Sequence, residues 1–125
     1  VKLNSFFKLS RWKTMVIEVI NLKGKRDILG PSLERSPPNY LYIGRAVTMG
    51  GWKLPMSKWH NPFSAKQYGR TGSIERYREY LLNNPKLIES LPELEGKVLA
   101  CWCSPELCHG HVLREVYHSF NGSEK

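Results

Sequence analysis

The chain has 125 residues, of which 41% are hydrophobic and 24% charged, and its net charge at neutral pH is +8. That length and composition describe one folded domain with its own core and argue against an intrinsically disordered chain. No apolar run approaches the ~20 residues that span a bilayer, and the three cysteines, all between positions 101 and 108, do not make a secreted disulfide framework.

The distribution of charge says more than its total. Residues 1–17 carry Lys2, Lys8, Arg11 and Lys13 and no acid. Residues 35–74 carry Arg35, Arg45, Lys53, Lys58, Lys66 and Arg70, again with no acid, whereas residues 75–125 sum to −2. A basic front of this kind attracts polyanions such as nucleotides and nucleic acid. Residues 1–14 read as a basic extension, either an arm or a transit-peptide-like segment. Residues 15–121 read as the single domain and 122–125 as a tail.

In chain order, residues 15–20 are short and rich in β-branched side chains, so they predict a strand. Residues 24–39 are rich in Gly, Pro and Ser and predict a loop. Residues 40–43 predict a second strand ended by Gly44. Residues 73–83 show helical spacing and are stopped by Asn83-Asn84-Pro85, and 86–91 predict a further helical turn closed by Pro92. Residues 97–102 predict a third strand. Val112, Leu113, Val116, Tyr117 and Phe120 mark one face of a last helix. The fold class is α/β, in two or three layers: a short mixed sheet, partly parallel, with helices packed on it.

The segment between Gly44 and Ser73 is too long for an ordinary connection. It holds Trp52, Trp59, Phe63 and Tyr68, which argue for an ordered loop at the sheet edge. Bases interleave with these rings, the mixture that suits nucleotides or single strands, although the rings also serve simply to anchor a loop. Thr71-Gly72-Ser73 opens a helix whose amides, with Arg70 beside them, offer a phosphate seat or form an ordinary cap.

The segment Cys101-Trp102-Cys103-Ser104-Pro105-Glu106-Leu107-Cys108-His109-Gly110-His111 is the second chemical feature. Cys101 and Cys103 share one face of a strand. Three readings stand: a zinc site through Cys101, Cys103, Cys108 and His109; a reactive Cys108 at a helix N-terminus beside His109; or a structural and substrate-lining role. The last is preferred, with Cys101 buried and Cys103, Cys108 and His109 near a pocket. The C-x5-R spacing from Cys108 to Arg114 is a weak match to phosphatase loops, because five residues separate the strand's end from Cys108.

Tyr42-Ile43-Gly44-Arg45, Ser57-Lys58-Trp59-His60-Asn61-Pro62-Phe63, the helix IERYREYLL and the block from Leu94 through Cys108-His109-Gly110 to Leu113 resemble the domain of unknown function 4326 family. That family is met in phages, large DNA viruses, bacteria and some eukaryotes. The resemblance implies that the three loop motifs group in one compact domain. It carries no reaction with it. In the family an acidic residue often follows Cys-His-Gly, and here His111 stands in that place.

The function expected is binding, with or without processing, of a phosphorylated nucleotide or nucleoside-like ligand in a basic pocket. Gly44, Arg45, Ser57, Trp59, Asn61, Phe63, Arg70 and Cys103 are the binding candidates. Arg45 would meet phosphate and Asn61 a polar edge. Cys108 and His109 are the candidates for chemistry, with His109 as acid–base. No cofactor is expected, with zinc as the alternative. The other function weighed is a non-catalytic nucleic-acid-binding module or assembly component with a protein partner. No membrane association is expected, and the cysteine usage fits the cytoplasm or another reducing compartment, the host cell's if the protein is viral.

Overall fold

The computed structural model describes residues 17–102 and 108–122, with side chains described through 120. The expected extension at 1–14, Cys103 and residues 123–125 of the expected tail at 122–125 lie outside these residues, while residue 122 closes the last helix.

Three strands form the sheet: β1 (Glu18–Asn21), β2 (Tyr40–Tyr42) and β3 (Val98–Cys101), in the order β1-β3-β2. Both pairings are parallel, with Val19↔Leu99↔Leu41 in one row and Ile20↔Ala100↔Tyr42 in the next. The domain is a small α/β fold, and its three named strands pair without an antiparallel partner, where a mixed sheet was expected. Length permits this, since residues 22–39 and 43–97 give each crossover room that a hairpin lacks.

The side-chain period of 2 divides the core between the two faces. Val19, Leu41, Leu99 and Cys101 face a helical layer, while Ile20, Tyr40, Tyr42 and Ala100 face the other side. The helical layer is α2 (Ala65–Leu82), α3 (Pro85–Glu89) and α4 (His109–Gly122). Here α1 (Arg26–Leu29) is a single turn on the opposite side, inside the segment 24–39 that was expected to be loop throughout. That opposite face is covered by Leu22, Leu29, Trp52 and Leu54. Most of this cover is irregular chain, held by bonds such as Lys53 N–H to the Pro31 carbonyl (2.8 Å) and Arg26 Nη1 to the Gly50 carbonyl.

The helix expected at 73–83 begins earlier, at Ala65. Ser64 caps it, its hydroxyl accepting from Gln67 N–H at 3.1 Å. Gly69 breaks its backbone (φ 74°, ψ 163°), a conformation open to glycine and costly to other residues. The two glycines and the absence of an apolar stripe in residues 65–72 hide this first turn from a periodicity argument. Its end is as the sequence predicts: Asn84 caps α3, accepting from Leu87 N–H, and Pro85 occupies the first turn. Leu91–Leu94 then forms a 3-10 turn around Pro92 rather than stopping there.

Leu99 lies at the centre of the middle strand and is fully buried, so Leu99→Ala is expected to cost about 2–5 kcal/mol through lost burial and a cavity. Ile28, 73% exposed, should tolerate alanine within about 0.5 kcal/mol. Urea unfolding of the two variants checks the contrast.

Candidate functional site

A cavity of about 420 Å³ opens at the carboxyl ends of β2 and β3 and against the first turn of α4. Parallel α/β sheets place ligands at this edge, where chains diverge from strands into helices. Its volume falls in the range of small-molecule sites, roughly 300–1,000 Å³.

Its walls come from five parts of the chain. The exit of β2 supplies Tyr42, Gly44 and Arg45, and the loop beyond it supplies Asn61 and Phe63. Arg70 and Ser73 come from α2, Cys101 and Trp102 from the end of β3, and His109 from α4. None of the described residues lining the cavity is acidic. Arg45, Asn61 and His109, drawn from three separate motifs, thus converge on one space.

Hydrogen bonds fix the walls in sequence. Trp102 Nε1–H donates to the Tyr42 hydroxyl at 3.0 Å, and that hydroxyl donates to the Arg45 carbonyl. Burial pushes the Tyr42 phenol above its ordinary pKa, so it holds its proton and remains a donor. Arg45 Nε and Nη2 donate to the Asn61 carbonyl at 3.0 and 2.8 Å. Gly44 is required by proximity: a Cβ there would lie 2.5 Å from the Tyr42 hydroxyl.

Asn61 serves as a clamp. Its Oδ1 accepts from Phe63 N–H at 2.9 Å, an Asx turn across Pro62. Its Nδ2 donates to Ser73 Oγ at 2.8 Å, and Ser73 Oγ–H donates to the Phe63 carbonyl. Both ends of the side-chain amide therefore bind the protein, so Asn61 shapes the wall that it lines.

Ser57 and Trp59 stand behind the wall. Ser57 N–H donates to the Gly44 carbonyl (3.0 Å), and Ser57 Oγ accepts from Trp59 N–H (3.0 Å). Trp59 is buried in the helical-side core, with its carbonyl accepting from Tyr77 Oη at 2.8 Å. Neither lines the cavity. Phe63 does, and it packs edge-on against Tyr68 and Tyr80. Tyr42 and Trp102 line it too, although charge and periodicity gave no reason to choose them. Their position at strand ends is the signal that was available.

His109 is buried and its Nε2 donates to the Ile43 carbonyl at 2.7 Å. A carbonyl only accepts, so the neutral ring carries its proton on Nε2 and turns Nδ1 toward Cys108 Sγ, 3.8 Å away. Cys108 is fully buried and does not line the cavity near which it was expected; Cys101 is buried as expected and belongs to the cavity wall. Their sulfurs are 3.1 Å apart. Cys108 also caps α4: its sulfur accepts from Gly110 N–H at 3.3 Å, while its own N–H donates to His111 Nδ1 at 3.1 Å. Among the described residues, no group of three or more His, Cys, Asp or Glu side chains is placed to hold a metal ion. None of the described helices is long and apolar enough to cross a membrane.

Removing the clamp should be read as lost stability. Asn61→Ala is expected to cost about 1–3 kcal/mol, the penalty for orphaning buried partners. A double-mutant cycle with Ser73→Ala should return a coupling of about 0.5–3 kcal/mol. Additive effects in chemical denaturation would show that the two side chains act independently.

Comparison with known proteins bears on the same region. The chain is 43% identical over 86 residues to an uncharacterized protein, R718, of Acanthamoeba polyphaga mimivirus, an alignment covering 62% of this chain and 65% of that relative. The match thus spans just under two-thirds of the relative's length. No solved structure matches the chain. The family model for a domain of unknown function, DUF4326, matches residues 31–119, which contain every cavity-lining residue named above. The chain therefore belongs to the DUF4326 family.

Proposed function

We propose that this protein binds a phosphorylated nucleotide or nucleoside derivative in the cavity at the ends of β2 and β3. One observation carries the reading: two guanidinium groups, Arg45 and Arg70, share a cavity of nucleoside size with the rings of Tyr42, Phe63 and Trp102 and with no described acid. Guanidinium groups match phosphate oxygens in geometry and charge. Aromatic faces take up a heterocyclic base by stacking, each contact worth roughly 1–3 kcal/mol. Arg45 is already held by two bonds to Asn61, so a phosphate would meet a pre-ordered cation. Arg70, exposed just past the break at Gly69, supplies the second charge. A processing step would fall to His109, which lines the cavity where Cys108 does not.

A second reading, binding of single-stranded nucleic acid without catalysis, is favoured by the exposed Arg45, Lys53, Lys66 and Arg70 within an acid-free stretch. Salt separates the two readings. Polynucleotide affinity falls steeply as salt rises, because many phosphates are neutralised at once.

Thermal shift with a nucleotide panel tests the first reading. Phosphorylated nucleosides should raise the melting midpoint more than the parent nucleosides, with about 2.7 kcal/mol of stabilisation expected at a hundredfold excess over Kd. Arg70→Met should weaken this response about tenfold or more while leaving the unliganded midpoint nearly unchanged. Equal responses to nucleoside and nucleotide would remove the phosphate from the reading. Steeply salt-dependent retention of oligonucleotides, without any nucleotide shift, would establish the second reading instead.

The proposed binding draws on no metal. Protein treated with a chelator is expected to keep both its fold and its nucleotide response, checked by melting and by elemental analysis. Near-stoichiometric zinc, lost together with folding, would promote the Cys101, Cys103, Cys108, His109 alternative.

A further inference from the structure

The residues lining the cavity differ in exposure. Ser73, Ile74 and His109 are buried, Phe63 and Trp102 are half-buried, and Arg45 and Arg70 are exposed, so the two cations stand on the solvent side of the rings. They also stand close to one another. Arg45 Nε and Nη2 lie 3.0 and 2.8 Å from the Asn61 carbonyl, and Asn61 Nδ2 lies 2.8 Å from Ser73 Oγ. Arg70 precedes Ser73 by three positions in α2, the spacing that sets side chains on one helix face with Cβ atoms roughly 5–6 Å apart. Both guanidinium groups therefore belong to one sector of the opening. A guanidinium carries several N–H donors in a fixed fork, and the Asn61 carbonyl takes only two of those on Arg45. At about 420 Å³ the cavity lies near the small end of ligand sites, roughly 300–1,000 Å³, which suits a base, a sugar and the phosphate next to it.

We propose that the site selects nucleoside monophosphates over di- and triphosphates, holding one terminal phosphate dianion between Arg45 and Arg70. The inference rests on the nucleotide reading above and narrows it. The base enters first, toward Phe63 and Trp102, and the phosphate stays at the opening with the cations. A phosphate monoester carries about −1.5 to −2 charge at pH 7 and three strong acceptor oxygens. Two guanidinium groups match that charge, and their forks match those oxygens. A phosphate bridged to a second phosphate, or esterified twice, carries a single charge and two terminal oxygens. At the same spot it leaves one cation without its counter-charge. The outer phosphates of a longer chain do not restore the balance, because they extend past the opening, where water and salt screen their attraction to the two arginines.

Titration calorimetry on the full chain at physiological ionic strength tests this with a ladder of probes. For each of adenosine, guanosine, cytidine and uridine, the nucleoside is compared with its 5′-monophosphate, the methyl ester of that monophosphate and its 5′-triphosphate. The monophosphate that binds best should do so about tenfold or more tighter than its methyl ester, since a hydrogen-bonded charge is lost, and about fivefold or more tighter than its triphosphate. In Arg70→Met the preference for monophosphate over methyl ester should shrink to about threefold or less, with melting used to show that the variant is folded. A triphosphate that binds as tightly as the monophosphate, with or without Mg²⁺, would overturn the proposal and leave the nucleotide reading standing, as would equal binding of monophosphate and methyl ester. A series in which no phosphorylated compound binds better than its nucleoside would remove both. The ladder on the unaltered protein decides the matter even where Arg70→Met fails to fold.

Discussion

A parallel sheet has two apolar faces, and three short strands cannot be stable with either face in water. This chain meets that constraint unequally. Helices cover one side of β3, with Tyr77, Leu81, Val112, Leu113 and Val116 in the helical-side core with Leu99 and Cys101. On the other side the chain spends largely irregular segments, and Trp52, Leu54, Leu22 and Leu29 do the covering. The long loop after β2 therefore has structural work before it has any other. Trp59 and Trp52 belong to this work. Phe63, from the same loop, and Trp102, beyond β3, are left at the strand ends, where the cover is incomplete and the cavity opens.

The cavity stays open because its walls are tied to each other across it. The chain of bonds from Trp102 through Tyr42 to the Arg45 backbone, and from the Arg45 guanidinium to the Asn61 backbone, links β3, β2 and the loop. Asn61 and Ser73 extend it to α2, and His109 joins α4 to the residue after β2. Each bond is modest alone, near 1 kcal/mol. Their value lies in ordering: a ligand meeting these walls does not have to immobilise them. The same accounting sorts the polar residues. Asn61 holds the wall through both ends of its side-chain amide, and Arg45 holds it through Nε and Nη2. Arg70, exposed on α2, completes the positive side of the cavity.

How much of this was legible in the sequence follows from the range of the interactions. The strands at 40–42 and 98–101 are local patterns of apolar and β-branched side chains, and they were readable. So was the choice of segments, since charge and irregularity are also local; Arg45 follows a strand, His109 opens a helix and Asn61 lies in the long loop, which is why the three motifs were expected to meet. The first turn of α2 was not readable, because Gly69 and Gly72 mask it and its cap, Ser64, sits in what looks like loop. Nor was the assignment of roles. Trp59 and Phe63 are four residues apart and both aromatic, and only tertiary packing sends one to the core and the other to the cavity. The meeting of Cys101 and Cys108 is of the same type: strand parity pairs Cys101 with Cys103, whereas the fold brings the sulfur of α4's cap to it.

His111 shows how structure can settle what a motif leaves open. The sequence resemblance implies an acidic residue after Cys-His-Gly, the place where His111 stands. In α4, Cys108 is the N-cap and His111 is the third helical residue, and the two satisfy each other's surroundings reciprocally: Cys108 Sγ accepts from Gly110 N–H, and His111 Nδ1 accepts from Cys108 N–H. This is the logic of a capping box, in which the third residue needs only an acceptor that reaches back. A carboxylate meets that need and suits the positive end of the helix dipole; a neutral imidazole meets it as well. The requirement at this position is therefore an acceptor for one backbone amide. Such a cap fixes the first turn of α4, and with it the placement of His109 against Ile43 and of Cys108 against Cys101. The residue acts on the site by holding the helix that carries it, with His111 Nδ1 as the acceptor for Cys108 N–H.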